Sequence, residues 1–151
     1  MSTAFDAGLF VDTIEVATLW ENLEDLYAAI REAIQPQAVV MAHFSHSYPQ
    51  GCSIYFTFAA GGRTLERRLK RYDRIWEAAL DACVRMGGTI THHHGVGLLK
   101  AKWLEKEEGG ANPILKGLKQ TLDPRGLMNP GKLGLGEVHH RDTENTERRG
   151  G

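Results

Sequence analysis

Long apolar runs, paired cysteines and an excess of one charge are all missing from this chain of 151 residues. No apolar stretch approaches the roughly 20 residues that a membrane-spanning helix needs. Eighteen Lys and Arg stand against 19 Asp and Glu, and this balance argues against a nucleic-acid binder. Cys52 and Cys83 are too few for a disulfide framework or a cysteine-based zinc cluster.

The amino terminus does not show the pattern of a secretory leader, because Asp6, Asp12 and Glu15 interrupt its first fifteen positions. Without a leader and with unpaired thiols, the sequence predicts a cytoplasmic protein. Apolar residues make up 42% of the chain and charged residues 25%, which is enough apolar material for one domain with a core.

Two periodicities alternate along the first ninety residues. Stretches rich in β-branched and aromatic residues predict strands over 9–17, 38–46, 52–59 and, more briefly, 89–92. Apolar positions three and four residues apart predict helices over 19–34 and 64–86. The order β-α-β-β-α-β predicts an α+β fold, a ferredoxin-like domain with an antiparallel sheet and two helices on one face.

The carboxyl-terminal third has a different pattern, with short helical stretches between glycine-rich and proline-rich turns. We therefore expect a ferredoxin-like region over 9–92. A loop and a helical segment would follow over 93–136. Residues 137–151 show no apolar periodicity, which predicts a disordered tail.

Three successive histidines, His92, His93 and His94, stand at the end of the fourth predicted strand. On an extended backbone, His92 and His94 would share one face and His93 the other. Such a cluster can be a polar strand end, a pair of metal ligands, or a source of charge and hydrogen bonds for an anionic or redox-active ligand. No Asp, Glu or Cys lies close in sequence to complete a metal shell, so we expect no metal.

Two glycines, Gly95 and Gly97, follow the histidines directly. They lack a Cβ, so the backbone there can come close to a ligand and adopt unusual dihedral angles. A helix is predicted after them, and the free N–H groups of a helix start favour an anion. Gly95 and Gly97 are therefore candidate cofactor-binding positions.

Tyr55 is a further candidate, because its neighbours Ile54 and Phe56 belong to the apolar face of the third strand. Tyr55 then lies on the face away from the helices, where it could simply pack or could exchange a proton. Its ordinary pKa is too high for a base at neutral pH, and protonated histidines would lower it. Three residues of the second strand and its turn either line the same site or are solvated: His43, His46 and Tyr48.

Six basic residues stand against two acidic ones between Arg63 and Arg74. Such a stretch is either the solvated face of a helix or a contact for anionic lipid headgroups or a phosphorylated substrate.

Three segments together resemble the C-terminal region of FAD-linked oxidases of the vanillyl-alcohol oxidase type. The segments are GCSIYFTF, GGTITHHHGVGLLKAKWLEKE and LKQTLDPRGLMNPGKL. Within that family the likeness is to the alkyldihydroxyacetonephosphate synthases, the flavoenzymes that make the ether bond of ether lipids. It covers about residues 9–136.

The resemblance implies FAD as the cofactor, and it assigns Tyr55 as the acid/base near the flavin N5 atom. It places His92, His93 and His94 in the same active site. It also implies that 9–92 is the cap or substrate region and that 93–136 holds the active-site loop and the C-terminal helical segment. It also implies a reaction in which a fatty alcohol replaces the acyl chain of acyl-dihydroxyacetone phosphate, with the substrate held on N5.

In this family the FAD-binding domain and an active-site arginine lie on the amino-terminal side of this region, and the chain contains neither. We therefore expect a flavin domain as partner and no activity without it. A small or lipid-like phosphorylated substrate, peripheral membrane contact and self-association are further expectations, and nucleic acid is not expected. Two alternatives remain: part of an FAD-linked 2-hydroxy-acid oxidase or dehydrogenase, and a stand-alone ferredoxin-like module that binds a small anion.

Overall fold

The computed structural model describes residues 8–136. Its helices and strands are β1 (Leu9–Leu19), α1 (Leu23–Ile34), β2 (Val39–Ser47), β3 (Gly51–Gly61), α2 (Leu65–Arg85), α3 (Ala101–Glu108) and α4 (Asn112–Leu122). Short 3-10 turns lie before α1, between α3 and α4, and at Lys132–Gly134. The tail expected over 137–151 lies outside the described residues.

The chain divides into two compact units, one up to Val96 and one from Gly97 onward. The first unit holds the sheet, α1 and α2, together with the three histidines. The second holds α3 and α4. Among residues 8–136, no helix is both long enough and apolar enough to cross a membrane.

The sheet of the first unit has three antiparallel strands in the order β1-β3-β2, so β3 is central. Phe56 and Phe58 of β3 are fully buried on one face. Tyr27 of α1 stacks on Phe56, and Tyr72 of α2 contacts Phe58, so both helices cover that face. The predicted α+β fold with an antiparallel sheet and two helices on one face is confirmed.

The fourth predicted strand is reduced to a single antiparallel bridge at the edge of β1. Thr89 donates its N–H to the carbonyl of Ala17 at 2.9 Å and accepts the N–H of Ala17 at 3.1 Å. Beyond Thr89 the chain leaves the sheet, because the N–H groups of the next residues turn toward the side chain of Glu15. A buried carboxylate therefore ends the strand that the local sequence pattern predicts.

Glu15 anchors this segment to the centre of β1. Its carboxylate accepts the backbone N–H groups of His92, His93 and His94, at distances from 3.0 to 3.4 Å. Hydrogen bonds to an ionised acceptor are stronger than neutral ones, and a buried donor without a partner is costly. The position of the histidines therefore depends on the charge of Glu15.

A second, partly buried contact joins β1 to α2 on the opposite face. Asp12 accepts the hydroxyl of Tyr72 at 2.8 Å and the indole N–H of Trp76 at 3.3 Å. Burial, and next the hydrogen bond to Asp12, raise the pKa of Tyr72 to about 12. Ionisation of Tyr72 is thus disfavoured in the folded chain.

Replacing Glu15 by Gln should lower the free energy of unfolding by about 3 kcal/mol, because a neutral amide presents its own donors to three N–H groups. Glu66→Gln is the matched control. Its carboxylate is exposed and paired with Lys70, so the loss should stay within about 0.5 kcal/mol. Urea unfolding measures both values, and equal losses in the two variants would contradict the anchoring role.

The stability of the chain should fall at alkaline pH through Tyr72. The unfolded tyrosine ionises near pH 10 and the folded one near 12, so its contribution is complete below about pH 10 and declines above it. Tyr72→Phe removes this decline and should flatten the curve of unfolding free energy against pH between about pH 9.5 and 11. At pH 8 it should cost only the hydrogen bond to Asp12, about 1 kcal/mol. If the curves of unfolding free energy against pH run parallel for the original chain and Tyr72→Phe, ionisation of Tyr72 does not cause the decline.

Candidate functional site

One row of the sheet carries three polar side chains. Strand pairing places Glu15 of β1 opposite Tyr55 of β3, and Tyr55 opposite His43 of β2. Residues that pair across antiparallel strands lie on the same face, so this row points away from α1 and α2. The rings of His43 and Tyr55 lie 6.3 Å apart. The expected position of Tyr55, on the face without helices, follows from this register.

Glu15 is a fully buried carboxylate at one end of that row. Burial by itself would raise the pKa of Glu15, but the N–H groups of His92, His93 and His94 and the imidazole of His94 hold it below its ordinary value. Three successive N–H groups around one anion form the concave backbone arrangement known as a nest. Glu15 therefore acts as an internal anion that shapes the histidine segment.

The backbone of the histidine segment is bent, so the expected alternation of its side chains is wrong. The Nδ1 atoms of His92 and His93 lie 3.1 Å apart, although an extended strand would place these rings on opposite faces. Both atoms also approach Oε1 of Glu15, at 3.8 Å for His92 and 3.3 Å for His93. Since Glu15 gathers three successive N–H groups, the backbone cannot alternate as a strand does.

His94 turns instead toward the phenol in the middle of the sheet. The rings of His94 and Tyr55 lie 5.3 Å apart, in an edge-on arrangement. The ring of His46 lies 6.4 Å from the ring of Tyr55 and 4.3 Å from that of His93. Imidazoles therefore surround the phenol.

Tyr48 lies at the edge of this cluster. Its ring is 5.2 Å from that of His92, and its hydroxyl is 3.4 Å from Nε2 of His93. The indole N–H of Trp20 donates to the carbonyl of Tyr48 at 2.9 Å and helps to hold the turn. The structure thus brings together seven residues selected from the sequence: His43, His46, Tyr48, Tyr55, His92, His93 and His94.

The pKa of Tyr55 moves in the direction opposite to the one expected. Partial burial raises it first, and the negative charges of Glu15 and of ionised Tyr48 raise it further. The histidines were expected to lower it, but the nearby buried carboxylate has the reverse effect. Tyr55 therefore holds its proton more tightly than an ordinary tyrosine does and can act as a donor.

Gly95 and Gly97 both adopt a backbone conformation that favours glycine, with φ of +71° and +58°. A Cβ at either position would meet no atom of the described residues within 4 Å, so the glycines serve the turn rather than a close approach. Gly97 belongs to the second unit, and α3 begins four residues later, at Ala101. The expected helix thus follows the glycines after a short turn, and their cofactor role stays a prediction.

Glu15 is the residue that the sequence analysis missed as part of the site. Within β1, Glu15 stands between the β-branched residues Ile14 and Val16. An acidic residue in the middle of such a strand needs a partner, because an unpaired buried charge is costly. That signal could have identified Glu15, but not the histidines as its partner.

The basic stretch from Arg63 to Arg74 is partly engaged in local contacts. Lys70 pairs with Glu66 at 2.7 Å, and Arg71 donates to the carbonyl of Gly61 at 2.8 Å. For Lys70 and Arg71, these contacts favour the first alternative, the solvated face of a helix.

Comparison with known proteins agrees with the resemblance. The family model "FAD linked oxidases, C-terminal domain" matches residues 1–133. An alkyldihydroxyacetonephosphate synthase of Trypanosoma brucei brucei is 34% identical over 127 residues, which are 83% of this chain and 20% of that protein. A mitochondrial D-lactate dehydrogenase [cytochrome] of Arabidopsis thaliana is 30% identical over 120 residues, or 79% of this chain and 21% of that protein.

A solved structure of an alkyldihydroxyacetonephosphate synthase has the same fold, with a TM-score of 0.52 and 24% identity over 85% of this chain and 22% of that one. The chain spans about a fifth of the length of these relatives. The resemblance stated from the sequence is confirmed. By the match of its family model over 133 residues, the chain belongs to the FAD-linked oxidases and carries their C-terminal domain.

Proposed function

We propose that this chain forms the substrate side of the active site in an FAD-dependent enzyme of the alkyldihydroxyacetonephosphate synthase type. The observation that carries this proposal is the convergence of Tyr55 with five histidines on the face without helices. The proposed reaction exchanges the acyl chain of a phosphorylated ketone ester for a fatty alcohol. The similarity to the Trypanosoma synthase supports this choice of reaction.

Tyr55 would be the proton donor of the site. Tyr55 belongs to the central strand, where it pairs with His43 of β2 on one side and with Glu15 of β1 on the other. A rigid sheet position suits a proton-transfer group, because such a group must hold its reacting atom within hydrogen-bond reach of the substrate. The contact with His94 would orient the phenol.

The histidines would bind the charged end of the substrate. His92 and His93 present side chains that are 31% and 37% exposed, so a ligand can reach them. Imidazole N–H groups donate hydrogen bonds to phosphate oxygens, and such bonds to an anionic acceptor are strong. An anionic substrate therefore fits this end of the cluster.

The residues fit one end of FAD rather than the whole cofactor. Tyr55, His46 and His94 offer ring edges and N–H or O–H donors of the kind that can face an isoalloxazine ring. The G-x-G-x-x-G pattern of a dinucleotide-binding turn does not occur in the chain. When bound, FAD would supply the electron-accepting ring, and a separate flavin domain would hold its pyrophosphate and adenine.

An apolar patch beside the cluster supports docking of that flavin domain. Val11, Val39 and Met41 are 53%, 72% and 64% exposed. Strand register places Val11 and Val39 opposite Ala59, and Met41 opposite Thr57, so all three lie on the face of Tyr55. Exposed apolar residues that cluster next to polar groups are typical of an interaction surface.

A second candidate function is oxidation of a 2-hydroxy acid. The similarity to the D-lactate dehydrogenase favours it, and the carboxylate of such a substrate would suit the same imidazoles. Anaerobic addition of D-lactate to the enzyme assembled with its flavin domain distinguishes the two candidate functions. Only a 2-hydroxy-acid oxidase would reduce its flavin.

Replacing Tyr55 by Phe should lower turnover of the assembled enzyme by roughly 10² to 10⁴, the usual contribution of a positioned acid or base. The melting temperature should change little, because the ring and its packing remain. Tyr27→Phe is the control on the helix side of the sheet and should leave turnover unchanged. An unaltered rate in Tyr55→Phe would remove this residue from the mechanism.

The chain by itself should bind FAD weakly, with a dissociation constant above about 1 μM, because contacts at one edge of the ring replace few of those made by a full site. Titration of FAD fluorescence with the chain gives this value. Tight, saturable binding in the nanomolar range would contradict the division of the cofactor site between two domains.

A further inference from the structure

Three side-chain atoms in the histidine cluster form a small triangle. Nδ1 of His92 and Nδ1 of His93 lie 3.1 Å apart, and Oε1 of Glu15 lies 3.3 Å from His93 and 3.8 Å from His92. The point equidistant from these atoms lies about 2.0 Å from each, the length of a Zn–N or Zn–O bond. The triangle therefore has the size of a metal-binding site.

We propose that Glu15, His92 and His93 bind one divalent transition-metal ion of the zinc class. The three residues group together as potential ligands, one buried and two exposed. Two imidazoles and a carboxylate suit zinc, cobalt, nickel or iron better than calcium or magnesium, which prefer oxygen ligands. No metal was expected from the sequence, because Glu15 lies 77 residues before His92 and only the fold brings them together.

The three atoms need either a proton or a metal ion between them. A carboxylate oxygen has no proton, and a neutral imidazole carries a proton on only one of its two nitrogens. Lone pairs that face one another at 3.1 to 3.8 Å repel unless a proton or a metal ion lies among them. A shared proton is the competing explanation, and the experiment below distinguishes it from a metal.

The two oxygens of Glu15 have different surroundings. Oε2 accepts N–H groups from His92, His93 and His94, which fixes the carboxylate against the bent backbone. Oε1 accepts the N–H of His93 and also faces the two imidazoles. Glu15 is fully buried, so the ligand oxygen is held in place before any ion arrives.

The second ring nitrogen of His93 lies near an oxygen atom, as is usual for histidines that bind a metal ion. Nε2 of His93 lies 3.4 Å from the hydroxyl of Tyr48. A metal-bound histidine generally donates its second N–H to an oxygen atom, which orients the ring toward the ion. Tyr48 would serve as this positioning residue.

The site would keep an open coordination position. Three protein ligands leave at least one place for water or for a substrate oxygen, as in catalytic rather than structural zinc sites. The side chains of His92 and His93 are about a third exposed, so this place can reach solvent. An ion here would attract an anionic ligand toward Tyr55.

Metal binding by the full chain tests the proposal without flavin or turnover, so its outcome is independent of the proposed enzymatic function. Zn²⁺ affinity is measured by competition with a chromophoric chelator, and Co²⁺ binding by its visible absorption bands. All proteins carry His139→Ala and His140→Ala, which remove two adjacent histidines outside the described residues that could bind metal themselves. We expect one ion per chain and a dissociation constant in the micromolar range or below.

Single replacements then identify the ligands. His92→Ala and His93→Ala should each weaken Zn²⁺ binding at least about 100-fold, and Tyr48→Phe about 10-fold. His43→Ala is the matched control, an exposed histidine outside the triangle, and should leave the affinity within about twofold. Glu15 variants can unfold, so the histidine variants carry the test, with circular dichroism to verify their fold.

Two results would overturn the proposal. One is a Zn²⁺ dissociation constant above about 1 mM in the background protein. The other is an equal loss of affinity in His43→Ala and His92→Ala, since binding would then be unspecific. In either case a shared proton, not a metal, joins the three side chains.

Discussion

The carboxylate of Glu15, bound to three successive N–H groups, is the interaction on which the rest of the site depends. It stops the fourth strand after one bridge at Thr89, bends the histidine segment and brings the rings of His92 and His93 together. Its negative charge also adds to the effect of burial in raising the pKa of Tyr55. One buried charge thus shapes the backbone, groups the histidine side chains and contributes to holding the proton of Tyr55.

The sheet divides its two faces between stability and chemistry. On one face Phe56 and Phe58 lie under the helices and form the core. On the other, the same strand presents Tyr55 to the histidines. Because alternate residues of a strand point to opposite faces, substitutions at Tyr55 can change the chemistry while leaving the core packing intact.

Local patterns were sufficient to predict much of this arrangement. The alternation along β3 placed Tyr55 correctly, and the apolar periodicity over 64–86 predicted α2, observed at Leu65–Arg85. The prediction failed over 89–92, because the deciding contact comes from Glu15, 77 residues away. It also failed for the pKa of Tyr55, because local spacing reveals neither the burial of the phenol nor the charge of Glu15 beside it.

The single bridge at Thr89 makes the histidine segment separable from the core. Its backbone bonds to the sheet through the pair of hydrogen bonds with Ala17 and through Glu15, whereas β1 and β3 pair along eleven residues. Segments with few protecting bonds open locally at a lower free energy than the whole fold. The amide hydrogens of His92, His93 and His94 would therefore exchange with solvent together, ahead of those in β3, and report when the site is assembled.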